Sequence, residues 1–258
     1  LKMHSPLQSV PKPTKRNHIF QTEPLPKSGM QNLNQVESLA GRHGLIVRGA
    51  FAVQDEDNVP PIHDQGPART LMLFGNAGSS IWKTFSSSEE YSDSKPDALD
   101  RWSQRIGEKL ASELEGRALF PFGGPPYRPF LKWAKKAESL LNSRLGMLIH
   151  PKYGLWHAYR FAIALPFGME VDSGNPVDIC AACPDQPCIT ACPVNAFEAE
   201  MEFDARACYS HLGEPQNTAC STGCQARLSC PYASEFRYHP GQAGFHMDAY
   251  IKTMSKRF

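Results

Sequence analysis

The residues best suited to chemistry in this sequence are its eight cysteines, which crowd into one short stretch. All of them lie between Cys180 and Cys230, and the first 179 residues contain none. The thiolate of cysteine is a soft ligand that suits zinc, copper(I) and iron–sulfur clusters. The cysteines are Cys180, Cys183, Cys188, Cys192, Cys208, Cys220, Cys224 and Cys230. Eight thiolates are enough for two sites of four, so the stretch predicts two metal centres.

The spacing of the cysteines favours two [4Fe–4S] clusters. The first four follow the pattern Cys-x2-Cys-x4-Cys-x3-Cys-Pro, and the last ends a second run in Cys230-Pro231. Runs that end in Cys-Pro are typical of bacterial two-cluster ferredoxins, in which four cysteines hold each cluster. The pattern departs from the standard run, because four residues rather than two separate Cys183 from Cys188.

Three other roles for the cysteines have weaker support. A disulfide framework is typical of small secreted chains, whereas this one has 258 residues and shows no secretory signal. Zinc sites usually pair two Cys-x2–4-Cys knuckles across a longer stretch, so the first run is too dense for one zinc knuckle. Inert buried thiols would be scattered by core position rather than gathered in one window.

The composition is that of a globular chain with a sizeable core and little net charge. Hydrophobic residues make up 41% of the sequence, and the formal net charge is +1. This charge gives no general case for binding nucleic acid or a membrane surface. No apolar run reaches the length of a membrane-spanning helix. We expect a cytoplasmic protein, because thiolate clusters favour a reducing compartment.

Hydrophobic periodicity divides the chain into three parts. Residues 1–31 form a basic, proline-rich arm that we expect to be disordered, with a targeting or nucleic-acid role as the alternative. Residues 32–172 alternate buried strands with amphipathic helices, which predicts a layered α+β domain able to bind a cofactor. Residues 173–258 hold every cysteine and little core of their own, so we expect a second domain organised by its clusters.

The α+β domain is predicted to contain four helices and five strands. Its longest helix is expected to begin at Ser94 as the cap, with Pro96 in the first turn and Asp97 three residues on. The other helices are predicted to begin near residues 32, 81 and 129. The strands are predicted at 45–53, 71–74, 118–122, 147–150 and 158–165.

Two loops of this domain carry side chains suited to a flat cofactor. Glycine lets the backbone approach a ligand closely, and aromatic rings can stack on a macrocycle or a flavin. Histidine can bind a metal or transfer a proton near neutral pH, and arginine can hold a carboxylate, an amide or a phosphate. The alternative is that the same side chains fill the seam between the two domains. The candidates are Gly123, Gly124, Tyr127, His150, Tyr153, Gly154, Trp156, His157, Tyr159 and Arg160.

The stretch from Gly146 to Arg160 resembles segments of two families. It is similar to Ile-His-Pro-Arg-Phe-Gly-Gly-Trp of the cobalamin-processing CblC proteins and to Pro-x-x-Gly-Ser-Trp of epoxyqueuosine reductases. The stretch Asp204 to Ser210 and the pair Cys224-Gln225 also resemble the reductases. These resemblances imply a cobalamin-binding domain with a nitroreductase-like, CblC-like fold, followed by a two-cluster ferredoxin-like domain.

Uncharacterised bacterial 4Fe-4S ferredoxin-like proteins are similar to the chain at further positions. The shared segments are Phe120 to Pro126, His150 to Arg160 and Phe245 to Met247. One departure concerns a Gly-Trp-x-Gly-Lys segment of the epoxyqueuosine reductases. The corresponding stretch here, Leu141 to Gly146, contains neither the Trp nor the Lys. This departure argues against the tRNA-modifying reaction.

The resemblance to ferredoxins also implies how the cysteines divide between the clusters. In two-cluster ferredoxins the fourth cysteine of each run binds the other cluster. Carried over, one cluster would take Cys180, Cys183, Cys188 and Cys230. The other would take Cys192, Cys208, Cys220 and Cys224. Because the second run has looser spacing, one intact cluster beside a degraded site remains an alternative.

Together these features favour an electron-transfer oxidoreductase. The clusters would pass single electrons to cobalamin or another corrinoid, or alternatively to FMN or FAD, bound in the N-terminal domain. The acceptor or partner would be a small molecule or a redox protein. One rival is a non-catalytic ferredoxin-type carrier whose N-terminal domain docks a redox partner. Another is a cobalamin chaperone that uses its clusters to reduce the cobalt of its cargo.

Overall fold

The computed structural model describes residues 33–169, 173–197 and 203–258. The predicted arm at residues 1–31 lies outside these ranges, as do the residues at the predicted boundary between the domains, 170–172. Contacts group residues 31–258 into one compact unit. The division at residue 172 therefore stays a prediction.

Helices and strands alternate in the first half, and short helices dominate the second. The helices are α1 Leu33–Gly41, α2 Trp82–Ser86, α3 Glu89–Ser92, α4 Ala98–Glu113, α5 Phe130–Glu138, α6 Pro187–Thr190, α7 Ala205–Leu212, α8 Gln225–Leu228 and α9 Pro240–Met254. The strands are β1 Ile46–Ala52, β2 Thr70–Ala77, β3 Arg117–Leu119, β4 Leu141–Asn142, β5 Leu148–Ile149 and β6 His157–Leu165. Within the described ranges, no helix combines the length and apolarity needed to cross a bilayer.

A four-stranded antiparallel sheet in the order β1-β2-β6-β3 forms the centre of the fold. Because successive side chains of a strand point to opposite faces, β2 contributes to two cores. Met72 and Phe74 pack with α1 and α4 on one face, and Leu71 and Leu73 pack with α5 on the other. Helices thus cover both faces of the sheet, and the predicted α+β class is confirmed. The finer likeness to nitroreductases and ferredoxins stays a prediction.

The long helix α4 begins later than the sequence pattern predicts. Ser94 and Asp97 both have a φ of +57°, and the helix starts at Ala98 without a side-chain cap. Ser94 cannot cap it, since a left-handed turn separates the two. Arg101 closes this turn, because its guanidinium donates to both carboxylate oxygens of Asp93 at 2.7 Å.

The cysteine-containing part of the chain packs against the sheet through α9. Phe245 of α9 enters the core formed with α1 and α4, and its ring centroid lies 5.1 Å from that of Phe85. The backbone N–H of His239 donates to Ser79 Oγ at 2.6 Å. The last helix therefore returns to the edge of the N-terminal core and fixes the cysteine segment in place.

Gly154 lies where the 150–154 turn meets the segment that follows the last cysteine. Its φ is +56°, and an added Cβ would lie 2.8 Å from the carbonyl oxygen of Tyr232 and 3.0 Å from Ala233 Cβ. The close backbone approach predicted for this glycine is therefore made to another segment of the chain, and only glycine adopts it without strain.

Replacing Gly154 with Ala should lower the free energy of unfolding by about 1–3 kcal/mol, because the new Cβ adds backbone strain and a clash. The matched control is Gly168→Ala, where an added Cβ would meet nothing within 4 Å. Anaerobic urea unfolding followed by circular dichroism compares the two variants with the parent protein. Equal losses for both would contradict the close approach at Gly154.

Candidate functional site

Four of the cysteines surround one cavity, here called cavity I. Cys180, Cys183, Cys188 and Cys230 line a space of about 630 Å³ between the 177–188 loop and Pro231. The first three come from the first run, and Cys230 comes from the end of the second. This set is the one that the resemblance to ferredoxins implies for the first cluster.

The other four cysteines surround a second space, cavity II, of about 450 Å³. They are Cys192, Cys208, Cys220 and Cys224. Its remaining wall is mostly apolar and includes Met147, Phe197 and Leu212. Burial raises the pKa of the Cys208 thiol to about 11, and burial also raises the pKa values of Cys220 and Cys224. A bound cation would favour the thiolate form of these buried thiols.

The donor set fits iron–sulfur clusters better than single metal ions. In the part of the chain that the structure describes, no three His, Cys, Asp or Glu side chains converge closely enough to hold one ion. All eight cysteines are nevertheless free thiols, and every one lines cavity I or cavity II. Thiols spread around a larger space suit a polynuclear cluster rather than a tetrahedral zinc ion.

A buried polar network lies beneath the 150–160 stretch. The fully buried guanidinium of Arg48 donates to both carboxylate oxygens of Glu138, at 3.0 and 3.2 Å. Tyr159 donates its hydroxyl to the same carboxylate. The guanidinium carbon also lies 4.6 Å from the ring centroid of Tyr159 and 5.5 Å from that of Tyr153. The network joins β1, the end of α5, β6 and the 150–154 turn.

The predicted ligand His157 uses both ring nitrogens inside this network. Its Nδ1 lies 3.1 Å from both terminal nitrogens of Arg48, and its Nε2 lies 3.0 Å from the carbonyl oxygen of Leu148. A proton on Nε2 satisfies both contacts, since Arg48 can only donate. Burial, followed by the charge of Arg48, lowers the pKa of His157 to about 2. His157 is therefore a neutral structural side chain with no nitrogen left for a metal.

The other candidates in the 150–156 stretch also face the protein. His150 Nδ1 accepts from the backbone N–H groups of Lys152 and Tyr153 at 2.9 and 3.2 Å. The Tyr153 ring lies edge-on to that of Phe236 at 5.1 Å. Trp156 is buried, and its ring lies 5.7 Å from that of Tyr238. These contacts favour the structural role over direct stacking on a ligand. We call the contacts between residues 150–156 and residues 232–238 the seam.

A third cavity of about 490 Å³ lies along the outer edge of β6, and we call it the β6-edge cavity. Strand β3 pairs with residues 162–164 of β6 and ends there, so no strand of the described chain covers 157–160 on this side. His157, Tyr159 and Arg160 line the cavity together with Arg227 and His246. Residues 157–160, the second half of the predicted ligand loop, therefore line this open cavity.

Two arginines make the β6-edge cavity positive. Arg160 donates from Nε to the carbonyl oxygen of Tyr159 at 3.1 Å. Burial lowers the pKa of Arg160, although the negative charge of Asp100 opposes that shift. Burial, and then the charges of Arg160 and Arg227, lower the pKa of His246 to about 4. The histidine therefore carries no charge at neutral pH, whereas arginine side chains stay protonated in proteins.

The β6-edge cavity and cavity II share one wall. Gly146, Met147 and Arg227 line both of them. The guanidinium carbon of Arg227 lies 4.8 Å from the ring centroid of Trp156 and 4.4 Å from that of Tyr238, so two flat rings hold it in place. A four-cysteine cavity and an open cavity thus lie on opposite sides of a few side chains.

The loop before α5 does not join this site directly. Gly123, Gly124 and Tyr127 are absent from the lining of the β6-edge cavity, and Tyr127 is 68% exposed. One turn further on, Leu131 does line the cavity and is 70% exposed. Their predicted role in binding a cofactor stays a prediction.

Sequence reasoning missed several residues of this region, chiefly Arg48, Glu138, Arg227 and Tyr238. Arg48 did give a signal, because a charged residue within a buried apolar strand usually has a buried partner. Nothing in the local pattern marked Arg227, which sits in a one-turn helix between cysteines.

No family model matches the chain. The chain is 30% identical over 118 residues to the epoxyqueuosine reductase of Vibrio cholerae serotype O1. This match covers 42% of the chain and spans 28% of the length of that protein. The chain is thus a distant relative of epoxyqueuosine reductases by sequence, which confirms the predicted resemblance to them.

Three solved structures of epoxyqueuosine reductases align with most of the chain at low identity. That from Bacillus subtilis has a TM-score of 0.43 and 14% identity, and covers 81% of this chain and 68% of that one. A structure determined with an epoxyqueuosine-modified tRNA-Tyr stem loop has a TM-score of 0.41 and 16% identity, and covers 82% of this chain and 71% of that one. A selenomethionine-labelled structure has a TM-score of 0.45 and 15% identity, with the same two coverages of 82% and 71%. TM-scores this low do not establish a common fold.

The Arg48–Glu138 pair should be essential for stability. Arg48→Met should lower the free energy of unfolding by about 3–5 kcal/mol, because it leaves a largely buried carboxylate without its partner. The double variant Arg48→Met/Glu138→Gln should lose less than the sum of the single losses. Urea unfolding of the three variants measures this difference.

The matched control for that cycle is Lys95→Met. Lys95 pairs with Asp93, but the lysine side chain is 73% exposed and Asp93 keeps Arg101 as a second partner. Removing an exposed partner should cost no more than about 1 kcal/mol. A loss for Arg48→Met as small as the loss for Lys95→Met would contradict the importance of the buried pair.

Proposed function

We propose that this chain is an iron–sulfur electron-transfer oxidoreductase. In this proposal cavities I and II hold two [4Fe–4S] clusters, and the β6-edge cavity receives an electron acceptor. The observation that carries it is the wall shared by cavity II and the β6-edge cavity, formed by Gly146, Met147 and Arg227. A cluster site and an open, positively charged pocket therefore lie side by side.

The cysteines hold the clusters, and the surrounding side chains keep the sites dry. Bound [4Fe–4S] clusters would supply single-electron transfer. Cys192 is one buried ligand of cavity II, and Phe197 and Leu212 line the same cavity. Low exposure and few nearby charges are among the factors that set the reduction potential of such a centre. The crossing of Cys192 and Cys230 would tie both halves of the cysteine segment together.

We propose a corrinoid as the acceptor, with a flavin as the alternative. Two supports are the match to an epoxyqueuosine reductase and the resemblance of 149–156 to cobalamin-processing proteins. The volume of the β6-edge cavity is within the range of small-molecule sites, and exposed Leu131 leaves its mouth open. Because both ring nitrogens of His157 already have hydrogen-bond partners, His157 would shape the pocket rather than bind cobalt.

A non-catalytic electron carrier is the second candidate function. Exposed Val177 and Tyr232 line cavity I and offer an apolar rim to a redox partner. Transient electron-transfer partners dock through small interfaces of this kind. The same rim would also serve a protein that delivers electrons to the oxidoreductase. Binding of an electron acceptor in the β6-edge cavity therefore distinguishes the oxidoreductase from the carrier.

Serine variants test the division of the cysteines. Cys230→Ser should lose the same cluster as Cys180→Ser, and Cys192→Ser the same one as Cys208→Ser. Anaerobically reconstituted parent protein should contain about eight iron and eight sulfide per chain, and each variant about four. Electron paramagnetic resonance of the reduced variants identifies which cluster remains.

Two results would contradict that division. A Cys230→Ser spectrum that matches Cys224→Ser instead of Cys180→Ser would overturn the crossing. About four iron in the parent protein would instead support the alternative of one cluster beside a degraded site.

Acceptor binding is tested by adding cob(II)alamin, and separately FMN, to the cluster-loaded protein without oxygen. We expect the visible spectrum to shift on binding of one of them, and Leu131→Glu to abolish the shift by placing a charge at the cavity mouth. The matched control Leu141→Glu changes a leucine that is also exposed but does not line the cavity. If neither ligand binds the parent protein, the reductase proposal fails and the carrier remains.

A further inference from the structure

We infer that the β6-edge cavity binds the oxyanion, a carboxylate or a phosphate, of a small-molecule ligand. Arg160 would be its main partner, and Arg227 would supply a second positive charge. The inference rests on the proposed function only in identifying this ligand with the electron acceptor. The binding site itself follows from how the two arginines are placed.

Arg160 carries a charge that the surrounding protein does not pair. Its Nε donates to the carbonyl oxygen of Tyr159, while in the described ranges no carboxylate oxygen lies within 4 Å of the guanidinium. No described acceptor bonds to its terminal nitrogens. Asp100 influences it only at longer range, and burial raises the pKa of that carboxyl. The guanidinium is part-buried and its terminal nitrogens have no protein partner in the described chain, so an anion at this point would be stabilising.

Arg227 provides a second and better-held charge beside the first. Its guanidinium lies over the rings of both Trp156 and Tyr238 and donates to the carbonyl oxygen of Leu155. Its Nε is buried and has no hydrogen-bond partner within the described chain. Stacking fixes the orientation of the group without neutralising it.

The walls of the cavity contain nothing that would repel an anion. None of the residues that line it is acidic, and His157 and His246 are neutral at pH 7. The nearby carboxylate of Glu138 lies in the buried network, where Arg48 and the Tyr159 hydroxyl bind it. The cavity wall therefore presents two positive charges, and Asp100, the carboxylate that acts on Arg160, is not part of that wall.

The shape of the site favours a single small oxyanion over a nucleic acid. An arginine fork matches the two oxygens of a carboxylate or a phosphate. The cavity has a volume of about 490 Å³, and the chain as a whole has a formal charge of only +1. A nucleic acid would need several further phosphate contacts, whereas Arg160 and Arg227 are the two arginines that line this cavity.

Isothermal titration of the cluster-loaded protein, at constant ionic strength, tests the site directly. Inorganic phosphate and benzoate are the probes in separate arms, which distinguish a phosphate site from a carboxylate site. We expect one of them to bind and to raise the melting temperature by mass action. Arg160→Gln should weaken that binding at least about tenfold, since a charge-assisted bond is lost.

Two further variants control for charge and for folding. Arg42→Gln removes the same charge from an exposed position and should leave binding unchanged. Arg160→Lys keeps the charge but loses the fork, so its affinity should fall between those of Arg160→Gln and the parent protein. Without added anion, Arg160→Gln should melt at or above the temperature of the parent protein, because an unpaired charge is gone. If Arg160→Gln melts at a lower temperature than the parent protein, the anion affinity of Arg160→Lys replaces that of Arg160→Gln in the test.

The outcomes separate this inference from the proposed function. Equal binding by Arg160→Gln and Arg42→Gln, or no binding of either probe by the parent protein, overturns the oxyanion site. Reduction of cobalamin or FMN that is unchanged in Arg160→Gln overturns the identification of the anion with the acceptor. Binding that depends on Arg160, in a protein that reduces neither cofactor, supports the site and overturns the proposed function.

Discussion

A positive charge buried at the edge of the sheet sets the terms for the rest of this structure. Arg48 belongs to a strand whose neighbours are apolar, and its guanidinium is fully buried. Leaving such a charge without a partner would cost several kcal/mol, so Glu138 must reach it from the end of α5. Burial, and then the same charge, lower the pKa of His157 and keep it neutral. One ion pair therefore fixes the position of α5, the tautomer of a histidine and the start of β6.

The β6-edge cavity lies where β6 departs from regular pairing with β2. Phe74 pairs with Phe161 and Gly75 pairs with Tyr159, so Arg160 is the extra residue of a β-bulge. A bulge breaks the alternation of side chains and re-aims one of them. Tyr159 donates its hydroxyl to Glu138, whereas Arg160 lines the cavity and is influenced by Asp100. Since β3 ends at Leu119, no strand of the described chain lies beside Arg160 on this edge.

Local sequence pattern predicts many of the strands and helices, but it does not predict the contacts between residues that are far apart in the chain. The apolar runs at 71–74 and 158–165 predict β2 and β6, because strands covered on both faces leave few polar positions. The Cys-Pro endings led, through ferredoxins, to the same two sets of four cysteines that line cavities I and II. Arg48 and Glu138 lie 90 residues apart, however, and nothing local links them. The late start of α4 has a local cause instead: Ser94 and Asp97 adopt left-handed backbone conformations, and Arg101 binds Asp93 across this turn.

The two roles predicted for the 150–160 loop divide between its halves. Tyr153 and Trp156 pack in the seam and His150 stacks on Tyr153, whereas Tyr159 and Arg160 line the cavity. The seam matters to the cavity because Trp156 also stacks on Arg227, the residue shared with cavity II. Side chains locked by packing hold a site more accurately than mobile loops do. In the proposed oxidoreductase, the aromatic half of the loop would thus set the separation between cluster and acceptor, and the polar half would bind the acceptor.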